Sequence, residues 1–284
     1  MSKKDIKIIF CDVDETLVYK NTVPQPNIEA IDKLVKNTDT KFVICTGRPF
    51  SLAEKIIKDI NLRDKEKQYS ICGSGSVIYE NKDKKILYVQ QLSKDLLKKL
   101  FEFAKKFDVY SFFVGLEYFH LYKNPEAEIK KRDAEQAKYK ILDENFNMDE
   151  LLDGEDKILR IVYAKDNDIE YLKMVRDEIL KNEEYKEHLD CFISSGKYLE
   201  INPKGVNKGV AIRWLCDHLN VKKENTMGIG DSDNDIDMLK NVGFGVGVAN
   251  ANENVRKVVD YICEKDYKEG GVQEAIEKFV FNPN

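Results

Sequence analysis

The sequence predicts an α/β protein in which a Rossmann-like parallel sheet, covered by helices, is interrupted by an inserted α+β block. Three observations lead to this prediction. In the first third of the chain, short apolar runs alternate with helical patterns, as βαβ units require. The middle of the chain changes to a mainly antiparallel strand pattern, and the alternating rhythm resumes after Pro203.

The first third supplies the start of the predicted sheet. Ile6–Cys11 and Lys41–Cys45 are almost wholly apolar, as strands covered on both faces are. Between them, Asn27 is placed to cap a helix whose apolar residues recur at helical spacing, and a second helix follows Lys41–Cys45. Two more strands are predicted at Tyr69–Cys72 and Val77–Tyr79.

The middle block combines a few helices with more strands. Lys94–Phe107 and Ile169–Leu180 carry wide apolar faces at helical spacing, and the charged segment Glu126–Asp156 is expected to be helical in part. The predicted strands are Ile86–Val89, Val109–Val114, Glu117–Tyr122, Ile158–Ala164, Cys191–Ser194 and Tyr198–Ile201.

The last third returns to strands and helices in alternation. Val210–Leu219 is predicted as a helix and Thr226–Gly230 as a buried strand, and shorter elements follow. We therefore expect one catalytic core formed by residues 1–82 and 203–284, with residues 83–202 inserted as a second domain.

Composition restricts the partners of the chain. Its 284 residues contain Lys+Arg 46 and Asp+Glu 51, which gives a net charge of −5. A mildly acidic chain is a poor match for nucleic acid, whose binding needs a dense basic surface. No run approaches the roughly 20 apolar residues of a membrane-spanning helix, and no signal-peptide pattern is found. We therefore expect neither nucleic-acid nor membrane partners.

The six cysteines indicate the compartment. They are scattered and form no C-x-x-C pair, so neither the common zinc spacings nor a disulfide framework is predicted. This pattern is typical of a reducing cytoplasm, which is where we expect the protein. Monomer and dimer are both left open.

Carboxylates follow two of the predicted strands directly. Asp12 and Asp14 come after the first strand, and Asp231 and Asp235 come after Thr226–Gly230. In a parallel α/β sheet, ligands bind beyond the carboxyl ends of the strands. Two acidic strand ends make an oxygen-rich site for a hard divalent cation, and Mg²⁺ is the natural choice. For Asp233, in the same acidic segment, we favour a role in the turn.

Two further features suit a phosphate group. Lys41–Cys45 is followed by Thr46 and Gly47, whose hydroxyl and backbone N–H groups can bind phosphate oxygens. Lys208 lies at the start of a predicted helix, where the helix dipole does not favour a cation. Taken alone, this position fits a solvated surface lysine, but beside the other residues it favours a lysine that serves an anion.

These residues together resemble the haloacid dehalogenase (HAD) phosphatases, and within them the Cof-type subgroup. Four motifs occur in the family's order, each at a predicted strand end or helix start. The inserted block resembles the subgroup's large C2 (type IIB) cap, and the resemblance spans nearly the whole chain. The motifs are Asp12-Val-Asp14-Glu-Thr16-Leu17, Thr46-Gly47-Arg48, Lys208, and Gly230-Asp231-x-x-Asn234-Asp235.

The resemblance implies roles for the first two acids. Asp12 would attack phosphorus and form an aspartyl-phosphate, and Asp14 would protonate the leaving oxygen and then deprotonate the attacking water. Mg²⁺ would be held by Asp12, by the backbone carbonyl of Asp14 and by Asp231, with Asp235 close by.

The resemblance also implies the phosphate site. Thr46 and the Gly47 N–H would hold phosphate oxygens with help from Asn234, and Lys208 would neutralise charge beside Asp12. Three residues depart from the pattern: Glu15 stands where the family often has glycine, Ser74 where the subgroup usually has asparagine, and Ala249 where glycine is common. The last two departures concern loop geometry.

Three functions fit this pattern. The first is a Mg²⁺-dependent phosphatase for a small phosphorylated metabolite, such as a sugar phosphate or a cofactor phosphate. The second is a phosphohexomutase, which would need a cluster of arginines in the inserted block, but Arg132, Arg160 and Arg176 are well separated along the sequence. The third is a regulatory protein without catalytic activity, and the intact set of acids argues against it.

Overall fold

The computed structural model of the protein describes residues 5–123, 126–166, 168–194 and 196–282. Its strands agree closely with the apolar runs of the sequence. In chain order they are β1 (Ile8–Asp12), β2 (Lys41–Cys45), β3 (Tyr69–Cys72), β4 (Val77–Glu80), β5 (Lys85–Val89), β6 (Tyr110–Gly115), β7 (Phe119–Tyr122), β8 (Tyr139–Leu142), β9 (Ile158–Ala164), β10 (Leu189–Ser194), β11 (Tyr198–Pro203), β12 (Thr226–Gly230), β13 (Phe244–Gly247) and β14 (Tyr261–Ile262).

Most helices begin at a side chain that caps the free backbone N–H groups of the first turn, as at Ser93, Asn147, Asp168 and Asn207. In chain order the helices are α1 (Gln25–Asn37), α2 (Phe50–Asp59), α3 (Lys94–Ala104), α4 (Glu126–Ala134), α5 (Met148–Asp153), α6 (Ile169–Leu180), α7 (Glu183–His188), α8 (Lys208–His218), α9 (Ile236–Lys240), α10 (Glu253–Arg256) and α11 (Gly271–Ile276).

Asn27 does not cap the first helix, because α1 already begins at Gln25, two residues earlier. Proline at the second position of the helix is tolerated, since the N–H it lacks has no partner in the first turn. Asn27 is instead fully buried, and its Oδ1 accepts a hydrogen bond from the backbone N–H of Gln273 at 2.9 Å.

Close contacts divide the chain into two compact units. The first comprises 1–48, 53–89 and 207–284, and the second comprises 49–52 and 90–206. The first unit contains one sheet with the strand order β14-β13-β12-β1-β2-β3-β4-β5. Neighbours from β14 to β3 are parallel, and β3, β4 and β5 pair in an antiparallel manner. The predicted parallel sheet is therefore present, with an antiparallel extension at one edge.

The antiparallel edge has a local cause. Only Gly73–Ser76 separate β3 from β4, which is far shorter than the crossover that a parallel pair needs. Three residues of the turn have positive φ: Gly73 at 59°, Ser74 at 58° and Gly75 at 102°. A Cβ atom on Gly75 would lie 2.3 Å from the backbone oxygen of Asn207, so this turn packs directly against the residue that precedes α8.

The second unit is built on a separate sheet with the order β10-β11-β9-β6-β7-β8. Its pairs are antiparallel except β7 with β8, which are parallel. Helices α3 and α6 bury their apolar faces in one core with β9, including Leu100, Val175 and Ile161. The α+β pattern expected for the middle of the chain matches this unit, although β8 and α7 were not predicted.

The units differ from the predicted segments at both junctions. Strand β5 hydrogen-bonds to β4 in the first sheet, so residues 85–89 belong with the core rather than with the predicted insertion 83–202. A strand with four apolar or aromatic residues after Lys85 fits either sheet, and its pairing with β4 through a short turn decides between them. At the other junction, the second unit continues to Val206 rather than ending at residue 202.

The centre of the first sheet places the acidic strand ends side by side. Strand β1 lies between β12 and β2, with Cys11 opposite Ile229 and Asp12 opposite Cys45. All five residues of β1 are buried, as expected for a central strand covered on both faces.

Within the described ranges, no helix combines the length and the apolar composition that crossing a membrane requires.

Candidate active site

Asp12 and Lys208 form a buried ion pair, although 196 positions separate them in the chain. Asp12 is the last residue of β1, and Lys208 is the first residue of α8, whose N-terminus is capped by the Asn207 side chain. The Lys208 ammonium contacts Asp12 Oδ1 and also donates to Asp235 Oδ1 at 2.6 Å. The Lys208 side chain is only 2% exposed, so the two carboxylates take the place of water around it.

Asp235 fixes the loop after β12. Its Oδ2 accepts hydrogen bonds from the backbone N–H groups of Asp231 at 3.0 Å and Ser232 at 3.1 Å. A Cβ atom on Gly230 would lie 2.7 Å from the Asp235 Cβ, so glycine is needed for this close approach. Because Oδ1 already binds Lys208, both oxygens of Asp235 serve to position their neighbours.

The carboxylates of Asp12, Asp231 and Asp235 converge on one point. One oxygen from each lies within 4.8 Å of the others, and all three residues are buried. Three carboxylates face a single ammonium, that of Lys208. This excess of buried negative charge, together with an all-oxygen donor set, fits a hard divalent cation such as Mg²⁺.

Burial is the main influence on the pKa values of Asp12 and Asp231. It raises the pKa of Asp12 well above its usual value, the charge of Asp235 adds to the effect, and the nearby Lys208 does not reverse it. Burial also raises the pKa of Asp231, to about 6, against the opposing hydrogen bond from Thr16. Burial by itself would lower the pKa of Lys208, but Asp12 and Asp235 outweigh it and leave that pKa above its usual value.

Asp14 lies apart from the three buried acids. Its side chain is 56% exposed and forms a two-point ion pair with Arg48. Arg48 Nε donates to Asp14 Oδ2 at 3.1 Å, and Nη2 contacts Oδ1. Arg48 Nη2 also donates to Asn21 Oδ1 at 2.7 Å. Arg48 belongs to the second motif, but the sequence assigns it no role, and no sequence pattern points to Asn21.

Thr46 and Gly47 lie in a loop after β2 that hydrogen bonds hold in place. The Thr46 backbone donates to Ile71 and accepts from Ser74, and its hydroxyl accepts from the Arg48 N–H at 3.1 Å. Thr46 is fully buried, whereas Gly47 is exposed. The loop therefore holds Gly47 at the surface of the sheet end, which fits an exposed backbone donor.

Asp233 and Asn234, which also follow β12, are exposed. Asn234 Oδ1 accepts from the Ser232 hydroxyl at 2.9 Å. Asp233 accepts from the side-chain amides of Asn252 and Asn254, each at 3.0 Å. Asp233 thus ties its turn to the start of α10, in line with the expectation of a turn role.

Thr16 is a further residue of the first motif to which the sequence alone assigns no role. It is fully buried, and its hydroxyl donates to Asp231 Oδ1 at 2.7 Å. A threonine two positions after an exposed acid gave no sign that it would reach a carboxylate 215 positions away. The hydroxyl orients the one acid of the cluster that would otherwise lack a side-chain donor.

Thr16→Val is expected to weaken Mg²⁺ binding about tenfold, since removing a group that orients a ligand costs roughly 10–100-fold in metal affinity. Valine keeps the volume of threonine but leaves Asp231 without its donor, so we also expect a loss of about 1–2 kcal/mol in the free energy of unfolding. Titration calorimetry and denaturant melts would measure the two effects. Thr16→Ser retains the hydroxyl and serves as the control, and equal Mg²⁺ affinity in Thr16→Val and wild type would contradict the role.

Comparison with known proteins points to one family of hydrolases. A sequence profile of the haloacid dehalogenase-like hydrolases matches residues 9–276. Over 104 residues the chain is 38% identical to the phosphoglycolate phosphatase of Methanobrevibacter smithii, and the aligned part covers 37% of this chain but only 44% of that enzyme.

Solved structures share the fold over nearly the whole chain. A haloacid dehalogenase-like hydrolase from Bacteroides thetaiotaomicron has a TM-score of 0.84 at 22% identity, with 96% of this chain and 98% of that one covered. The HAD subclass IIB sugar phosphatase BT4131 has a TM-score of 0.75 at 22% identity, with 95% and 98% covered. The predicted fold class, a parallel-sheet core with an inserted cap domain, is confirmed.

The sequence profile and the curated relatives named as phosphatases confirm the expected class, a phosphoric monoester hydrolase. The match of the profile covers far more than half of the chain. The chain belongs to the haloacid dehalogenase-like hydrolase family.

Proposed function

We propose that the protein is a Mg²⁺-dependent phosphatase that hydrolyses a small phosphorylated metabolite through an aspartyl-phosphate. The observation that carries the proposal is the buried set of Asp12, Asp231 and Asp235 around Lys208 at the end of a central strand. A nucleophilic carboxylate needs a nearby cation before it can approach a phosphate dianion. Lys208 supplies one positive charge, and the three carboxylates can hold a metal ion as a second.

Asp12 is the nucleophile in this proposal. Lys208 occupies its Oδ1, which leaves Oδ2 to attack phosphorus. As the bond from Oδ2 to phosphorus forms, the ester P–O bond breaks, and the leaving oxygen takes a proton from Asp14. A water molecule then attacks the aspartyl-phosphate and gives a proton to Asp14. This second step releases phosphate and restores both acids.

The other residues bind and orient. Thr46, Gly47 and Asn234 lie on the loops that follow β2 and β12 and offer hydrogen bonds to phosphate oxygens. Asp12, Asp231 and, at close range, Asp235 would hold Mg²⁺, together with the backbone of Asp14. When bound, the metal offsets repulsion between carboxylate and phosphate and orients both.

The substrate class is part of the proposal. One relative is named for phosphoglycolate and a structural neighbour for sugar phosphates, which supports a small phosphorylated metabolite such as a sugar or cofactor phosphate. Two arginines of the second unit have acidic partners: Arg132 binds Glu128 and Glu135, and Arg160 lies 3.6 Å from Glu200. The arginines thus give no support to a mutase.

All six cysteines are free thiols, in keeping with a cytoplasmic location.

The proposal is tested by measuring phosphate release from a panel of phosphorylated metabolites, with Mg²⁺ and with a chelator. We expect turnover only with the metal, and a hydroxylamine-sensitive phosphoenzyme whose phosphate maps to Asp12 by mass spectrometry. Release no greater than that of Asp12→Asn across the panel would refute the phosphatase assignment.

Mg²⁺ binding is expected to weaken as the solution becomes acidic. The ligand Asp231 must be ionised to bind, and its pKa in the metal-free protein is raised to about 6. Affinity should therefore be about tenfold lower at pH 5 than at pH 7.5, because binding then displaces a proton.

The stability of the metal-free protein should show the opposite trend. A carboxyl group whose pKa is raised by folding stabilises the protein at low pH, and this contribution is lost as the pH rises from about 4 through 6. Mg²⁺-induced shifts in melting temperature at pH 5 and 7.5 would measure both trends. The variant Asp231→Asn should lose the part of the pH dependence that Asp231 contributes. An equal shift at both pH values in the wild type would contradict the prediction.

A further inference from the structure

The segment between Asp14 and α1 contains a strained hairpin. Tyr19 and Thr22 exchange two backbone hydrogen bonds of 2.9 Å, which leaves Lys20 and Asn21 as a two-residue loop. Both loop residues have positive φ, 48° and 61°. A loop of this kind favours asparagine or glycine at both positions, and lysine fits it poorly. Strain of this kind persists where the surroundings require the conformation.

One side chain of the hairpin contacts Arg48, which lies in the loop after β2. Asn21 Oδ1 accepts a 2.7 Å hydrogen bond from Arg48 Nη2, the same nitrogen that contacts Asp14 Oδ1. The backbone of Arg48 is already fixed, because its N–H donates to the Thr46 hydroxyl and its carbonyl accepts from the Gly73 N–H at 3.0 Å. Asn21 therefore gives the Arg48 guanidinium a second partner besides the exposed Asp14 carboxylate.

Asp14 depends on Arg48 for its orientation. The Asp14 carboxylate is more than half exposed, and among the residues that the structure describes its side-chain hydrogen bonds all come from Arg48. A carboxylate so exposed would otherwise sample several rotamers, and a misplaced acid transfers its proton poorly.

We propose that Asn21 is a positioning residue that sets the orientation of Asp14 through Arg48. The inference rests on the proposed function, in which Asp14 protonates the leaving oxygen. It assigns the strained hairpin a purpose: the positive φ of Asn21 holds its amide oxygen against the guanidinium. Lys20 adopts its own strained conformation because the loop has only two residues.

The first test compares leaving groups in a single turnover. An alkyl phosphate needs a proton on its leaving oxygen, whereas p-nitrophenyl phosphate has a good leaving group and needs it far less. For Asn21→Gly, which keeps the positive φ but removes the amide, we expect first-turnover release to fall about tenfold with β-glycerophosphate and less than about threefold with p-nitrophenyl phosphate. Asn21→Asp retains an acceptor and should remain within about threefold of wild type for both substrates.

Lys20→Gly is the matched control. It relieves the neighbouring strain in the same loop without touching Arg48, so its first-turnover rates should equal those of wild type. An equal loss for both substrates in Asn21→Gly, or the same losses in Lys20→Gly, would refute the positioning role.

The second test does not need turnover. Hydrogen exchange of the Arg48 Nε–H, followed by ¹⁵N NMR and assigned with Arg48→Lys, reports on the contact with Asp14. We expect exchange to accelerate about tenfold in Asn21→Gly and to be unchanged in Asn21→Asp and Lys20→Gly. Unchanged exchange in Asn21→Gly would overturn the inference. If the wild type hydrolyses neither substrate, the proposed function fails, and this measurement still decides whether Asn21 holds Arg48.

Discussion

Asp12→Asn is expected to reduce phosphate release by about 10⁴-fold or more, because an amide cannot form the bond to phosphorus that the carboxylate forms. Asparagine has nearly the same shape, so the loss would be chemical rather than structural. Steady-state phosphate release at saturating Mg²⁺ measures the change in kcat.

The same substitution should stabilise the metal-free protein. Burial and the charge of Asp235 raise the pKa of Asp12 well above its usual value, so the ionised side chain is unfavourable there at neutral pH. A neutral amide removes this penalty, and we expect the free energy of unfolding to rise by about 1–2 kcal/mol without Mg²⁺. Lys208 keeps a partner in Asp235, at 2.6 Å. Denaturant melts in a chelator would show the gain.

Asp233→Asn is the control for Asp12→Asn. Asp233 is an exposed acid in the fourth motif that lies outside the buried cluster, so its substitution should leave kcat unchanged. Mg²⁺-dependent turnover in Asp12→Asn near the wild-type rate would eliminate Asp12 as the nucleophile. A fall in stability in that variant would contradict the electrostatic account of the site.

Lys208→Met is expected to cost about 3–5 kcal/mol of the free energy of unfolding, the range for removing one partner of a buried ion pair. The substitution leaves Asp12 and Asp235, both buried, facing each other without their ammonium. We also expect kcat to fall by about 10²–10³-fold, since a fixed positive charge beside the reacting groups is lost. Chemical denaturation and phosphate release measure the two effects.

Mg²⁺ should recover part of the stability that Lys208→Met loses, because a cation held by the same carboxylates offsets their repulsion. The double variant Lys208→Met/Asp235→Asn should also be more stable than Lys208→Met. The coupling energy from the double-mutant cycle of these two substitutions tests the interaction between Lys208 and Asp235 directly. Lys222→Met, at an exposed lysine, is the matched control and should change neither quantity. Equal stability of Lys208→Met and wild type would show that the pair contributes nothing to folding.

The core sheet was predictable from the sequence for a physical reason. A strand buried on both faces must be apolar along nearly its whole length, so β1, β2 and β12 appear as largely apolar runs. An Asp or a Thr stands at the end of each run or directly after it. Because such strands lie side by side, the sequence also placed the acids at one sheet end. Strand β8 was missed because its residues are half-buried or exposed, with Ile141 56% exposed, and they lack that signal.

The finer parts of the site depend on contacts that no local pattern encodes. Thr16 reaches Asp231, and Asn21 reaches Arg48, across 215 and 27 positions. Each is a single side chain on an irregular segment, where neither hydrophobic period nor motif spacing applies. The limit of the first unit at Val89 was missed for a similar reason, since a five-residue strand can pair with either sheet until the turn before it is known.

The position of β1 at the centre of the sheet has a consequence for synthesis on the ribosome. One of its neighbours, β2, begins at Lys41, but the other, β12, begins only at Thr226. The ribosome adds about 5–20 residues per second, so about 10–40 s pass between the synthesis of β1 and that of β12. One edge of β1 stays unpaired during this interval. The contiguous segment 90–206 can fold within that interval, whereas the first unit closes last. An unpaired apolar edge invites association with other chains, so nascent chains halted before residue 226 should be the form most prone to aggregate.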